Sequence, residues 1–474
     1  MLATSKKILT EEQAIAVSIA GEGSLVFAKN NDGSISKSRF INYCEVLERD
    51  AYLSDKLRLN LLDGRAEATG FFWNAEKHPV RDDDIANMRR FIDDRYEINN
   101  ENNIRQAVGI AAGKNAYHPV REMLKSLQWD GVSRIPDLFP RFLGAERSDY
   151  TTAVTKLLLS GAIQRIYRPG VKFDYCIILA DTQQGTGKST LCRALALDDE
   201  WFTDQVGDLS DNKKAFESIR GKWIVELGEL LAVRKTKDVE AIKAFITRQS
   251  DFYRNPYGIY PEDYKRQCVF IGTTNKPQFL PEDRTGNRRF IPLRCNGSRQ
   301  EVHPMQDIEA TREYIRQCYA EIIASGVYDL TLDRKYQEEL EAIQEQSTPD
   351  DTRVGMIQAF LDRTNEQFVC SRMIWDRVFS GKNEKPPQSY DLRDIADIMN
   401  LQIVGWKPYK GKSGADKDAK YSFEGYGRQR AWTKLTETRP EDRPDTRPDT
   451  RPDTRPEGIY SDGFTDFDGD FASL

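Results

Sequence analysis

The sequence predicts an α/β fold, and three observations carry that expectation. Between Phe173 and Leu293, four strand-like runs ("DYCIILA", "KWIVEL", "QCVFIGTTN", "RRFIPLRC") alternate with three helical ones ("KSTLCRALAL", "NKKAFESI", "TKDVEAIKAFITRQ"). Such alternation argues a sheet with helices on both faces. A glycine-bearing turn, Asp181–Thr190, joins the first of these strands to the first helix. In bulk the chain is ordinary for a globular protein: 474 residues, 39% apolar and 30% charged, enough for two to four domains.

The organisation follows along the chain. Residues 1–104 read as a small mixed α/β region with one hairpin, from short alternating and helical runs such as "LRLNLLDGRAEATGFFW" and "DDDIANMRRFIDDRY". Residues 105–170 have a helical period and end in "YTTAVTKLLLSGAIQRIY", after which "PGVKFDY" breaks the helix. Residues 171–345 hold the α/β core and a helical close. Residues 353–433 give three helical segments, then two β-like segments around a loop. That order suits a winged-helix-like module able to dock on duplex DNA, with Lys407, Lys410 and Lys412 in the wing; a helical cap on the core is the alternative. Residues 434–474 carry the Pro-bearing repeat "RPDTRPDTRPDT", which cannot bury a core and is expected to stay extended and solvated.

Composition excludes several classes. No apolar run reaches the ~18 residues a membrane helix needs. Glu11 and Glu12 interrupt the apolar start that follows Lys6 and Lys7, so no export signal is expected and a reducing cytoplasm is the simplest home. Seven cysteines without a C-x-x-C and only three histidines argue against a zinc site or a disulfide framework. Net charge is −6, and residues 435–474, with eleven acidic and five basic side chains, account for all of it. The body is neutral, so any nucleic acid must meet basic groups focused on one face or in a channel.

The turn "DTQQGTGKST" carries the first chemistry. It ends like the phosphate-binding loop G-x-x-x-x-G-K-[ST], but Thr182 stands where the first glycine usually falls. The strand before it and the helix after it are the required context. Thr182, Gln183, Gln184, Gly185, Thr186, Gly187, Lys188, Ser189 and Thr190 would cradle phosphates, Lys188 reaching the β/γ-phosphates and Ser189 ligating Mg²⁺. A structural turn with a surface lysine is the alternative. In "KWIVELGEL", a buried strand delivers Glu226 to its C-terminal end, with Glu229 three residues on. A Mg²⁺-nucleotide site needs one acid at the metal, here Glu226, and another to orient the attacking water. In "CVFIGTTN", Asn275 ends a strand where it can sense the γ-phosphate, although Thr-Thr-Asn is also a good helix cap. In "PEDRTGNRRFIPL", Arg284, Arg288 and Arg289 surround a glycine turn, as candidates for transition-state charge stabilisation in cis or from a neighbouring subunit.

This order of motifs resembles the superfamily 3 helicases of viruses and plasmids. The wording is closer to the virulence-associated protein E family of phages and mobile islands, through "YHPVREMLKSLQWDGVSRI", "YRPGVKFDY", "QGTGKST", "WIVELGEL", "VEAIKAFITRQSDFYRNPYG", "RQCVFIGTTN" and "TGNRRF". The likeness spans about Asn103–Leu293, and Thr182 is its departure. It implies an AAA+-like P-loop NTPase core in a ring, a hexamer, with ATP and Mg²⁺ at subunit interfaces. It also implies a hairpin within Ser250–Arg266 that grips single-stranded DNA, where Arg254, Lys265 and Arg266 meet phosphates and Tyr257 and Tyr260 pack on sugars or bases. Those tyrosines could instead only pack the hairpin. About 105 residues precede the likeness, too few for the primase domain that family members often carry, so no primer synthesis is expected.

The reading that results is an ATP-dependent DNA helicase for replication of a phage or mobile element. An ATP-switched, origin-binding initiator and a DNA-packaging motor are the alternatives. The end of the chain, "GIYSDGFTDFDGDFASL", alternates acids with Tyr460, Phe464, Phe467 and Phe471 and is similar to tips that dock on replisome partners; a solubilising tail is the other reading.

Overall fold

The structure is a computed structural model that describes residues 9–206, 209, 211–228, 236–254, 260–280, 287–349, 352–380, 386–411 and 420–435. The chain divides into two compact units, Met1–Asp350 and Asp351–Leu474.

The first unit opens with α1 (Glu11–Gly21), started by a capping box between Thr10 and Gln13, and α2 (Phe40–Arg49). Strands β1 (Leu57–Asn60) and β2 (Arg65–Ala68) form an antiparallel hairpin with Leu57 opposite Ala68, and β3 (His78–Pro79) adds to β2. Helices α3 (Asp82–Tyr96) and α4 (Glu101–Lys114) close a separate core around Tyr43, Leu47, Tyr52, Phe71, Phe91 and Ile104. Three helices lead on to the main sheet: α5 (Pro119–Ser126), α6 (Leu138–Leu143) and α7 (Asp149–Tyr167).

The main sheet is then laid down strand by strand. β4 (Cys176–Ala180) precedes α8 (Lys188–Leu195), and β5 (Phe202–Thr203) precedes α9 (Asn212–Ile219). β6 (Ile224–Leu227) precedes α10 (Thr236–Thr247) and a hairpin of β7 (Ser250–Tyr253) and β8 (Glu262–Lys265). β9 (Val269–Thr274) and β10 (Phe290–Arg294) complete it, followed by α11 (Ile308–Ser325) and α12 (Gln337–Ser347). The five-stranded sheet has the order β10-β4-β9-β6-β5 and every neighbouring pair is parallel. Strand side chains alternate between faces. Ile177, Leu179, Val269, Ile271 and Ile291 therefore join one core with α7, α8 and α11. Cys176, Ile178, Val225, Phe270 and Phe290 join the other, with α9 and α10. Burial on both faces is why these strands read as continuous apolar runs.

The sequence had shown four core strands, and the sheet has five. β5 escaped because two residues leave no period to detect. The hairpin expected within Ser250–Arg266 is present as β7–β8, with Phe252 opposite Asp263. It joins the start of β9, and Tyr253 and Tyr264 pack on Phe216 of α9.

The second unit runs α13 (Thr352–Arg363), β11 (Phe368–Val369), α14 (Ser371–Ile374), α15 (Ser389–Leu401), β12 (Trp406–Pro408), β13 (Lys420–Phe423), β14 (Gly427–Arg430) and β15 (Trp432–Lys434). β15 lies antiparallel between β11 and β12, while β13 and β14 pair as a hairpin. Ile357, Leu361, Ile374, Ile395 and Trp432 form its core. Among the described residues, no helix is long and apolar enough to cross a membrane.

Candidate functional site

Five parallel strands bring their C-terminal ends to one edge, which is where open α/β sheets bind ligands. β4 is buried throughout and delivers Asp181 to that edge. The Asp181 carboxylate accepts the Gln183 N–H at Oδ1 and the Gly297 N–H at Oδ2, both at 2.9 Å. This clamp shapes the start of the loop. Among described residues only Glu97 and Leu197 combine a side chain with positive φ, so Thr182 stands where no glycine is needed. Gly185 and Gly187 do need to be glycine, with φ of 73° and 85°. A Cβ on Gly187 would also lie 2.7 Å from Cδ of Pro304.

Lys188 opens α8 and is buried. Its Nζ donates to Asn275 Oδ1 at 2.7 Å, and to Thr186 Oγ1 and the Gln183 carbonyl at 3.2 Å. Burial lowers the Lys188 pKa, against an opposite pull from Asp181 and Glu226. One residue on, Ser189 Oγ donates to Glu226 Oε1 at 2.6 Å, and Thr273 Oγ1 donates to the same oxygen at 2.6 Å. Glu226 is 3% exposed, and its other oxygen, Oε2, is buried with no hydrogen-bond partner.

These groups open onto a cleft of about 1030 Å³. Gln184 to Thr190, Glu226, Thr273, Thr274 and Asn275 line its floor, with Asp204, Val206, Gly228, Lys276, His303 and Met305 around them. A phosphate chain suits left-handed glycines, free loop N–H groups and a buried ammonium. A divalent cation suits a hydroxyl and a carboxylate whose second oxygen is unmet. The donor set therefore fits a phosphorylated ligand with Mg²⁺, Ser189 and Glu226 being able to hold the metal.

The remaining expected residues fall elsewhere. Thr182 and Gln183 form the loop's start rather than the cleft lining. Arg288 is exposed and Arg289 half-buried, in a 3₁₀ turn before β10. Phe290 pairs with Cys176, so both arginines stand at the N-terminal edge of the sheet, about 13 Å along the strands from the cleft. On the hairpin, Arg254 and Lys265 are exposed, Lys265 bonding Asp263 at 2.6 Å, and Tyr260 is 78% exposed. Arg266 requires a correction. It is 3% exposed, and its guanidinium grips Asp251 twice, at 2.6 and 3.0 Å, and also bonds the Phe245 carbonyl. It anchors the hairpin root and cannot reach a phosphate. Lys407 and Lys410 are exposed. Glu229, Tyr257, Arg284, Lys412, Tyr460, Phe464, Phe467 and Phe471 lie outside the described residues.

Sequence reasoning missed Asp181, Thr273, Asp204, Lys276, His303 and Met305 at the cleft. Thr273 was within reach, because alternation from Asn275 puts it on the same side of β9. It also missed Phe252, which is 77% exposed and opposite Asp263, while its neighbours Asp251 and Tyr253 are buried. Aromatic side chains at both 252 and 253 hid which face was outward.

The fold and cleft define an α/β protein with a parallel five-stranded sheet and a P-loop-like core. Residues 124–349 match the model of the virulence-associated protein E-like domain, which bears out the resemblance to the virulence-associated protein E family. The match includes Lys188, Glu226, Asn275 and Arg288. Two solved structures of the NrS-1 C terminal region are similar to this chain. The A form apo structure of CTR(305-718) is 14% identical, with a TM-score of 0.44, covering 80% of this chain and 96% of that one. The A form apo structure of CTR gives 14%, 0.42 and the same coverages. The curated proteins searched contain no match.

Proposed function

We propose that the protein is an ATP-dependent DNA helicase serving replication of a phage or mobile genetic element. The observation that carries this is the cluster at the cleft: Ser189 and Thr273 on one oxygen of Glu226, with its partner oxygen unmet, beneath Lys188 held by Asn275. Mg²⁺-ATP supplies the energy through cleavage of its terminal phosphoanhydride. Loop N–H groups and Lys188 bind the phosphates, Ser189 and Glu226 hold the metal, and Asn275 releases Lys188 and turns to the γ-phosphate. Glu229 orients the attacking water.

Arg288 and Arg289 stand too far from their own cleft to serve it, which supports a head-to-tail ring in which each subunit lends an arginine to its neighbour. We take that ring as a hexamer. The hairpin offers Arg254, Lys265, Tyr260 and Phe252 to single-stranded DNA. The second unit's order, helix–strand–helix–helix–strand–hairpin–strand, supports a winged-helix reading for duplex DNA with Lys407 and Lys410 near the wing. The acidic, aromatic tail is proposed to dock on a replisome partner.

The test is unwinding of forked DNA together with ATPase activity, with and without single-stranded DNA, Lys188→Ala serving as control. DNA-stimulated hydrolysis and strand separation support the reading. Lys188-dependent ATP binding without unwinding moves it to an ATP-switched initiator.

A further inference from the structure

The cleft has two ends. At one, Lys188, Glu226, Thr273 and Asn275 meet at the edge of the sheet. At the other, residues 296–305 cross the outer side of the phosphate loop. This strap is tied down along its length. Gly297 donates to Asp181 at 2.9 Å, Gln183 Nε2 donates to Ser298 Oγ at 3.0 Å, and Pro304 abuts Gly187. His303 is fixed in one tautomer. Its Nδ1 accepts the Met305 N–H at 3.2 Å, so Nε2 carries the proton and donates to the Gly185 carbonyl at 3.1 Å. The strap thus ends by setting Met305 in the cleft lining with 70% of its surface exposed. Met305 presents an apolar, solvent-accessible thioether at the rim of a polar cleft.

We propose that Met305, positioned by His303, is the wall against which the nucleoside of the bound nucleotide lies. This rests on the nucleotide reading above. A triphosphate with its γ end at Asn275 and Glu226 would run back along the loop toward Thr190, in the same cleft that His303 and Met305 line. A polarizable thioether favours contact with an aromatic ring. Both nitrogens of His303 are already engaged, so neither reads a base edge. The base is held by contact, and ATP and GTP bind alike.

The experiment is displacement of a fluorescent ATP analogue from the full chain by ATP, GTP or inorganic tripolyphosphate. Wild type, Met305→Ala, Met305→Leu and Lys188→Ala are compared. Met305→Ala should weaken ATP and GTP about tenfold while tripolyphosphate binds as before, and Met305→Leu should recover most of the loss. Unchanged ATP affinity in Met305→Ala overturns the wall. So does an equal loss for tripolyphosphate, which reports a distorted loop. A gap of more than about tenfold between ATP and GTP in wild type overturns the tolerance of bases. If wild type binds neither ATP nor tripolyphosphate through Lys188, the nucleotide reading itself falls, and the wall with it.

Discussion

Ser189 and Glu226 are joined by a 2.6 Å hydrogen bond that spans from the first turn of α8 to the end of β6. Thr273 donates to the same carboxylate oxygen from β9, so three elements meet at one atom. Ser189 and Glu226 would hold a divalent cation here, with Thr273 keeping the carboxylate oriented. Glu226→Gln should therefore abolish the Mg²⁺-dependent part of nucleotide binding and leave the metal-free part. Thr273→Val should weaken Mg²⁺ by about 10–100-fold without touching the metal directly. Calorimetric titration of nucleotide with and without Mg²⁺ reads both, and an unchanged Mg²⁺ dependence in Glu226→Gln would remove the metal from this oxygen.

Lys188→Ala should cost about 1.5–3 kcal/mol of nucleotide binding, the worth of hydrogen bonds to a charged group, and abolish hydrolysis. Circular dichroism should stay that of wild type, since the lysine's three acceptors can turn to the water of the cleft. Near-normal ATPase activity would sink the phosphate-loop assignment.

Arg288→Ala should leave binding intact and slow hydrolysis by about 10³–10⁵, as loss of an arginine finger does. Mixed with Lys188→Ala subunits it should regain part of the activity, because each variant supplies what the other lacks. Activity equal to the plain sum of the two, with mixed rings verified by native mass spectrometry, would exclude action across an interface.

The hairpin separates stability from binding. Arg266→Ala leaves the buried Asp251 with only its longer pair to Arg248, at 3.6 Å, and should cost up to about 3–5 kcal/mol of stability. Phe252→Ala should leave the melting temperature alone and weaken single-stranded DNA by about 1–3 kcal/mol. Thermal melts and fluorescence anisotropy distinguish the two, and equal DNA affinity in Phe252→Ala would show that the exposed ring has another use.

His118 gives the fold an acid limit. It caps α5, accepting the Arg121 N–H, and meets Gln267 at 2.7 Å, while burial lowers its pKa below 6.5. The folded state then binds fewer protons than the unfolded one, so stability is lost as pH falls below 6.5. His118→Asn replaces the capping Nδ1 with an amide oxygen that does not titrate and should flatten that decline. Parallel slopes in urea melts of the two proteins from pH 7 to 5 would place the titration elsewhere.

The core sheet was legible because strands buried on both faces are unbroken apolar runs, and because a phosphate loop needs glycine and lysine at fixed spacing. What stayed hidden depended on contacts distant in sequence. Asp181 explains how Thr182 is tolerated, but only the fold brings Gly297 to its second oxygen. Arg254, Lys265 and Arg266 looked alike as cations, and only the fold shows Asp251 waiting for one of them. His303 and Met305 lie 115 or more residues beyond Lys188 in "VHPMQ", with no motif of their own.

β9 connects the cleft to the hairpin. Its last residue, Thr274, precedes Asn275, which holds Lys188; its first, Val269, follows Arg266, which anchors the hairpin root. Clamped between β4 and β6, it is a stiff rod about 20 Å long. A rod held on both sides has little freedom to bend, so a push at one tip arrives at the other. Under the proposed function, a shift of Asn275 away from Lys188 would be carried along this strand to the base of the hairpin.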